Sequence, residues 1–165
     1  MNLPPDLTVR ALVAGEDMTA LTELAHACDE TYLEWTRPGW MVPIAPPGWA
    51  DNYLAPDCWL HGAFEPGRRL VGSVAFRPSD EDPAAAHVGL VFVHPARWRE
   101  GIAASMMALA EAEMQARGYG REQLWTPDGA PAERFYQAQG WTRDGRTTWH
   151  PWVGLDLVGY ARDLV

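Results

Sequence analysis

The stretch from His87 to Arg117 restricts the fold of this chain more than any other. His87-Val88-Gly89-Leu90-Val91-Phe92-Val93 is apolar on both faces after its first residue, the pattern of a central strand covered on both sides. His94-Pro95 ends it, because proline cannot donate to a strand ladder. From Gly101 to Arg117 the spacing changes to that of a helix. Ile102, Ala103, Met106, Met107, Ala110 and Met114 share one stripe, while Glu111, Gln115 and Arg117 fall outside it. Gly118 and Gly120 supply the stop. A buried strand must therefore run through a short loop into a helix that packs back on the sheet.

The start of that helix is also the first chemical signal. N–H groups at a helix start have no partner within the helix, and the helix dipole adds partial positive charge there. An anion can approach only if the side chains are small, and Gly101, Ala103 and Ala104 meet that need. Arg97 and Arg99 add positive charge nearby. A phosphate site is one explanation of the segment, and a tight strand-to-helix turn is the other.

Around this centre the remaining elements fall into order. Leu7 to Val13 reads as a strand and Met18 to Trp35 as a helix, with Asp17 as its cap and Leu21, Leu24, Ala25 and Cys28 on its apolar face. Cys58 to Phe64 and Leu70 to Phe76 read as a hairpin turning at Glu65-Pro66-Gly67-Arg68. Gln123 to Thr126 is a short strand and Ala130 to Gln139 a helix ended by Gly140. Trp141 to His150 and Leu155 to Arg162 are two further strands. Hairpins flanking strand–helix crossovers give an α/β arrangement with a mixed sheet. At 165 residues one domain spanning 1–165 is expected.

Between Thr36 and Pro56 the chain holds five prolines together with Trp40, Met41 and Trp49. Such proline density excludes a long helix or a central strand. So much aromatic surface does not suit a solvated linker. The segment is either a lid over the core or a wall of a substrate site.

Charge narrows the classes of partner. The net charge is −9, which argues against a nucleic-acid or anionic-membrane surface and favours cationic or amine-bearing small molecules. Two cysteines, Cys28 and Cys58, are too few for a disulfide scaffold. The sequence contains no apolar run of about 20 residues that could span a membrane. MNLPPDLTVR lacks the basic and apolar regions of a secretory signal, so a cytoplasmic location is expected. No His/Cys cluster has metal-ligand spacing, so no metal is expected.

Val91-x-Val93-His94-Pro95 followed by Gly101-Ile102-Ala103 and an Ala/Met/Leu helix resembles the central motif of the GNAT superfamily of acyl-CoA-dependent N-acetyltransferases. That motif, Q/R-x-x-G-x-G/A, reads here Trp98-Arg99-Glu100-Gly101-Ile102-Ala103, with Trp98 where Gln or Arg is usual. Ala132-Glu133-Arg134-Phe135-Tyr136, continuing to Gly140-Trp141, is similar to the family's later signature, A-x-x-F-Y-x-x-x-G-F. Gly129 stands where an Asn commonly opens it.

The resemblance implies a GNAT fold, with a mixed sheet of six to seven strands flanked by about four helices. It implies an N-acetyltransferase that moves an acetyl group from acetyl-CoA to a primary amine by direct attack in a ternary complex. Arg99, Glu100, Gly101, Ile102, Ala103 and Ala104 would cradle the pyrophosphate, Glu100 bringing an acid close to it. Val91, Phe92 and Val93 would contact the pantetheine arm and thioester. Tyr136 falls where the family often places the acid for the leaving thiolate, although a core tyrosine would look the same. His87 falls where some members carry a base, and an imidazole is chemically apt for that task. A structural histidine competes with that reading, as does a water chain. Glu30 and Glu34, four residues apart on the first helix, are candidates for holding the amine, with Trp35, Trp40 and Trp149 as aromatic walls. A solvated helix face would explain the two glutamates equally well. Trp49 and Trp152 lie in the same parts of the chain. The expected acceptor is a small amine. A peptide or protein N-terminus, or a non-catalytic acyl-CoA-binding module, is the alternative. A homodimer is compatible with the same aromatic surface.

Overall fold

The computed structural model describes residues 2–165. Its strands are β1 (Thr8–Ala11), β2 (Trp59–Phe64), β3 (Leu70–Pro78), β4 (Ala85–Val93), β5 (Arg121–Pro127), β6 (Thr142–His150) and β7 (Leu155–Asp163). The α-helices are α1 (Met18–Glu30), α2 (Ile102–Ala116) and α3 (Ala132–Ala138). All seven strands form one sheet in the order β1-β2-β3-β4-β5-β7-β6. Only β4 and β5 are parallel, and the crossover between them is α2, as the strand-to-helix pattern predicts.

Each face of the sheet carries its own core. On one, Val71, Val74, Phe76, Ala86 and Val88 meet Ile102, Met106, Met107, Ala110 and Met114 of α2, together with Tyr136 and Trp141. On the other, Leu60, Phe64, Leu70 and Ala75 meet Leu21, Leu24 and Cys28 of α1, with Tyr53. Gly72 lets α2 approach closely, since a Cβ there would lie 3.0 Å from Ile102 Cγ2.

Local chemistry moves several expected boundaries. The first helix is shorter than Met18 to Trp35: α1 ends at Glu30 and the chain tightens into a 3-10 turn over Thr31–Glu34. The Thr31 hydroxyl donates to the Cys28 carbonyl (2.6 Å) and the Thr36 hydroxyl to that of Tyr32 (2.7 Å). These bonds satisfy carbonyls that the next helical turn would have used. Asp17 does not cap α1 through its side chain. Its carboxylate takes two bonds from Arg10 (2.7 and 2.9 Å) and one from the Val13 N–H (2.7 Å), tying the turn to β1 instead. Three α-helices form rather than about four, because the proline-rich stretch between α1 and β2 makes only a 3-10 turn at Asp51–Tyr53.

The irregularity that matters most is in β4. Ser73 pairs with Phe92, but Ala75 pairs with Gly89, so β4 carries one extra residue. Leu90 takes it up with φ 52°. The Ser73 hydroxyl donates to the Leu90 carbonyl (2.7 Å) and holds the bulge. Side-chain parity changes across it. Ala86 and Val88 belong to the α2-side core, yet beyond the bulge it is Val91 and Val93 that pack there, while Leu90 and Phe92 turn to the α1 side. Pairing of β4 with β5 stops at Val88–Leu124, whereas β5 stays paired with β7 as far as Pro127–Leu157. The two central strands therefore part.

Met106, on the buried face of α2, is 1% exposed. Truncating it by Met106→Ala is expected to cost about 2–5 kcal/mol. Urea unfolding should show a lower midpoint at an unchanged slope.

Candidate functional site

Two features meet where β4 leaves β5. One is the start of α2. Gly101 precedes the helix in the left-handed region (φ 78°) and no side chain caps it. Arg99 is also left-handed (φ 67°). The backbone donors of a 15-residue helix are thus left facing outward over small side chains. The Glu100 carboxylate is drawn to Arg97 (2.9 and 3.0 Å), not held over the helix start. Arg97 also binds Glu65 (2.8 Å) and Asp6 (3.1 Å), so its charge is spent on three carboxylates. That corrects the expectation that Arg97 serves an anion here. Trp98, 51% exposed, donates its indole N–H to the Val93 carbonyl (2.7 Å). The Cys28 thiol reaches the same carbonyl (3.3 Å), and burial pushes that thiol up to about 12, keeping it a neutral donor. One acceptor at the end of β4 is therefore already in use.

The other feature is a cleft of about 580 Å³ on the α1 side of the sheet. Thr22, Ala25, Asp29 and Tyr32 form one wall, Pro43, Ile44 and Trp49 a second, and His150, Trp152 and Leu157 a third. Phe92 and Pro127, from the parted ends of β4 and β5, also line it. The walls are fixed. Trp49 Nε1 donates to the Thr22 hydroxyl (2.9 Å), and its ring lies 6.4 Å from that of Phe92. Trp40 Nε1 donates to the Val153 carbonyl (2.9 Å) and Arg37 to that of Gly154 (2.9 Å), pinning the proline-rich segment to the β6–β7 turn. That segment is thus a wall of the cleft and a tie across it.

Tyr136 lies on α3, 7% exposed, its ring beside Trp141 (6.0 Å) and Tyr160 (6.2 Å). Burial raises its phenol above the ordinary range, so it stays protonated at neutral pH. Tyr32 is raised too, first by burial and then by Asp29 and Tyr136, which puts the three groups in one electrostatic neighbourhood. Burial lifts the Asp29 carboxyl to about 6, opposed by His26.

Tyr136 packs in the α2-side core and does not line the cleft, and other expected site residues are not brought together there either. His87 does not line the cleft. It sits in the still-paired part of β4, opposite Arg77 and Gln123. Burial, Arg77 and Arg146 push it down to about 4, a poor setting for holding a proton. Glu30 lines the cleft and pairs with His26 (3.1 Å). Glu34 is exposed away from the cleft, and Trp35 stands beside Tyr32 (5.1 Å between rings) without reaching the wall. Trp40, 6% exposed, is a structural pin, and Trp149 faces outward on the edge strand β6. Asp29 and Tyr32 were missed by sequence reasoning. Helical spacing could have found Asp29, which falls four residues after Ala25 and seven after Thr22, both on the wall. Among the described residues, no group of three or more His, Cys, Asp or Glu could hold a metal ion, and no helix is long and apolar enough to cross a membrane.

The raised Asp29 carboxyl has a consequence for stability. Between its ordinary 3.8 and about 6 the folded chain binds more protons than the unfolded one, so stability falls as pH rises through that window. Asp29→Asn is expected to unfold later in urea than the native chain at pH 7, by about 1–3 kcal/mol. The difference should vanish well below pH 3.8, where both states are protonated.

Comparison with known proteins agrees with this geometry. The family model described as the acetyltransferase (GNAT) family matches residues 21–141. No curated protein sequence matches significantly. Among solved structures, the PaiA N-acetyltransferase of Thermoplasma acidophilum, in complex with coenzyme A, is similar with a TM-score of 0.72 at 18% identity, over 95% of this chain and 98% of that one. The ribosomal-protein-S18-alanine N-acetyltransferase of Escherichia coli is similar with a TM-score of 0.68 at 16% identity, over 96% and 94%. An aminoglycoside 6'-N-acetyltransferase complexed with coenzyme A gives 0.68 at 14% identity, over 96% and 97%. These likenesses establish the fold, and the family model spans well over half of the chain. The chain therefore belongs to the acetyltransferase (GNAT) family.

Proposed function

We propose that this protein moves an acetyl group from acetyl-CoA to the primary amine of a small molecule, by direct attack in a ternary complex. The observation that carries the reading is the parting of β4 from β5 between an uncapped α2 start and an aromatic-walled cleft. Coenzyme A fits the residues present. Backbone N–H groups from Arg99 to Ala104 would hold its pyrophosphate, since Gly101, Ala103 and Ala104 leave room and Glu100 is turned to Arg97. Beyond Val88 the edge of β4 that faced β5 is open, so the backbone around Val91 to Val93, apart from the Val93 carbonyl that Trp98 and Cys28 already use, would meet the amides of the pantetheine arm. The thioester, when bound, supplies an acyl carbon ready for attack.

The ammonium first gives up a proton to water, the freed lone pair attacks the acyl carbon, the C–S bond breaks, and the nitrogen's second proton also leaves to water while the thiolate takes one from an acid. Tyr136, kept protonated by burial, donates to the departing thiolate. The walls of the cleft would hold the amine in position for attack. A small amine suits the acidic chain and a cleft closed on three sides by side chains. The E. coli structure named above acts on a protein alanine and the aminoglycoside enzyme on a small molecule, so the fold serves both classes of acceptor.

Acetyl-CoA at about 100 times its Kd is expected to raise the melting temperature by roughly 5–10 °C. No rise at millimolar concentration overturns the reading. Gly101→Val should remove most of the rise, because a β-branched side chain is strained at φ 78° and stands over the helix start. Tyr136→Phe should keep the rise and lower kcat in a thiol-release assay by about 100-fold.

A further inference from the structure

Within the cleft one carboxylate has no direct partner, the nearby His26 being bonded to Glu30 instead. Asp29 lies on the wall formed by α1, and no ion pair or hydrogen bond to its side chain is found among the described residues. The other acids are differently placed. Glu30 is paired with His26 (3.1 Å), and Glu23 is exposed at the rim, where the cleft continues into a shallower groove along Pro46, Pro47 and Asp51. No arginine lines the cleft, and the chain contains no lysine. A partly buried carboxylate without a cation is costly, and such sites are kept where a ligand supplies the missing charge.

The rest of the wall describes what carries that charge. Trp49, Phe92 and Trp152 present flat apolar faces, Pro43 and Ile44 extend them, and the Trp49 ring is held by its bond to Thr22 (2.9 Å). A fixed aromatic wall beside one unpaired carboxylate attracts a cation twice, through the ion pair and through the ring faces. Asp29 also neighbours Tyr32, which in turn neighbours Tyr136.

We infer that Asp29 binds the ammonium group of the acceptor, and that the acceptor is a primary amine bearing a single positive charge on a flat, apolar body. Asp29 is the one carboxylate of the cleft set back from solvent, which matches one cation there, and a volume of about 580 Å³ suits a small molecule. Asp29 acts here as a recognition residue. The inference rests on the acetyltransferase reading above and adds the acceptor class to it.

The test is steady-state thiol release with acetyl-CoA and three acceptors: 2-phenylethylamine, 1,4-diaminobutane, and a tetrapeptide with a free N-terminal alanine. The native protein should favour phenylethylamine in kcat/KM by at least about tenfold. Asp29→Asn should raise the KM for phenylethylamine by about 10–100-fold, the loss of one charge-assisted bond. It should leave the acetyl-CoA melting shift intact, and Asp29→Glu should restore part of the affinity. Trp49→Ala should raise the KM for phenylethylamine more than for diaminobutane. An unchanged KM in Asp29→Asn overturns the inference, as does preference for the diamine or the peptide, and in those cases the acetyltransferase reading survives. A native protein that shows the melting shift but turns over none of the three overturns the acceptor class. Absence of both shift and turnover overturns the acetyltransferase reading itself.

Discussion

The parting of two parallel strands is the constraint on which the rest of the structure depends, and one extra residue in β4 accompanies it. Leu90 sits at φ 52°, a conformation that costs a non-glycine residue about 1–2 kcal/mol. The bond from the Ser73 hydroxyl to its carbonyl and the packing of Leu90 and Phe92 against the α1-side core offset that cost. Because the bulge reverses side-chain parity, Val91 and Val93 continue the α2-side core while Phe92 becomes part of the cleft wall. Without the reversal, Phe92 would point under α2 and the cleft would lose its aromatic floor.

Around that opening, polar bonds hold apolar walls in place. Trp40 and Arg37 tie the proline-rich segment to the β6–β7 turn, and Trp49 is held to α1 through Thr22. Prolines keep the segment from collapsing into regular structure, and the indole N–H groups give it fixed positions. The tryptophans thus divide by task. Trp141 and Trp40 are buried structural groups, Trp49 and Trp152 line the cleft, and Trp98 closes the end of β4 by bonding the Val93 carbonyl. Asp29 runs against this economy, since it is half-buried without a direct partner and weakens the fold at neutral pH. Sites that must meet a ligand commonly keep such costs.

Much of the fold was legible because periodicity reports burial directly. The α2 stripe of Met106, Met107, Ala110 and Met114 and the apolar run of β4 could be read from spacing alone, as could the helix start at Gly101. The site was less legible. His87 lies on the expected strand, yet the sequence does not reveal that Arg77 and Arg146 stand beside it. Trp40 looked like a substrate wall because it is aromatic and lies in the right segment, and its indole bond to Val153, 113 residues away, makes it a pin. Arg97 was read as positive charge beside the helix start, and Asp6, Glu65 and Glu100, two of them distant in the chain, converge on it and offset that charge.

The sequence by itself determined the order of strands and helices, the buried central strand and the small residues at the α2 start. Each depends on the spacing of neighbouring side chains, which local geometry fixes. The tertiary structure alone decided which carboxylate is left unpaired, which tryptophans face the cleft, and where β4 leaves β5. Those outcomes depend on contacts between residues far apart in the chain. A side chain's partner, and with it its charge state, exists only once the sheet has brought them together.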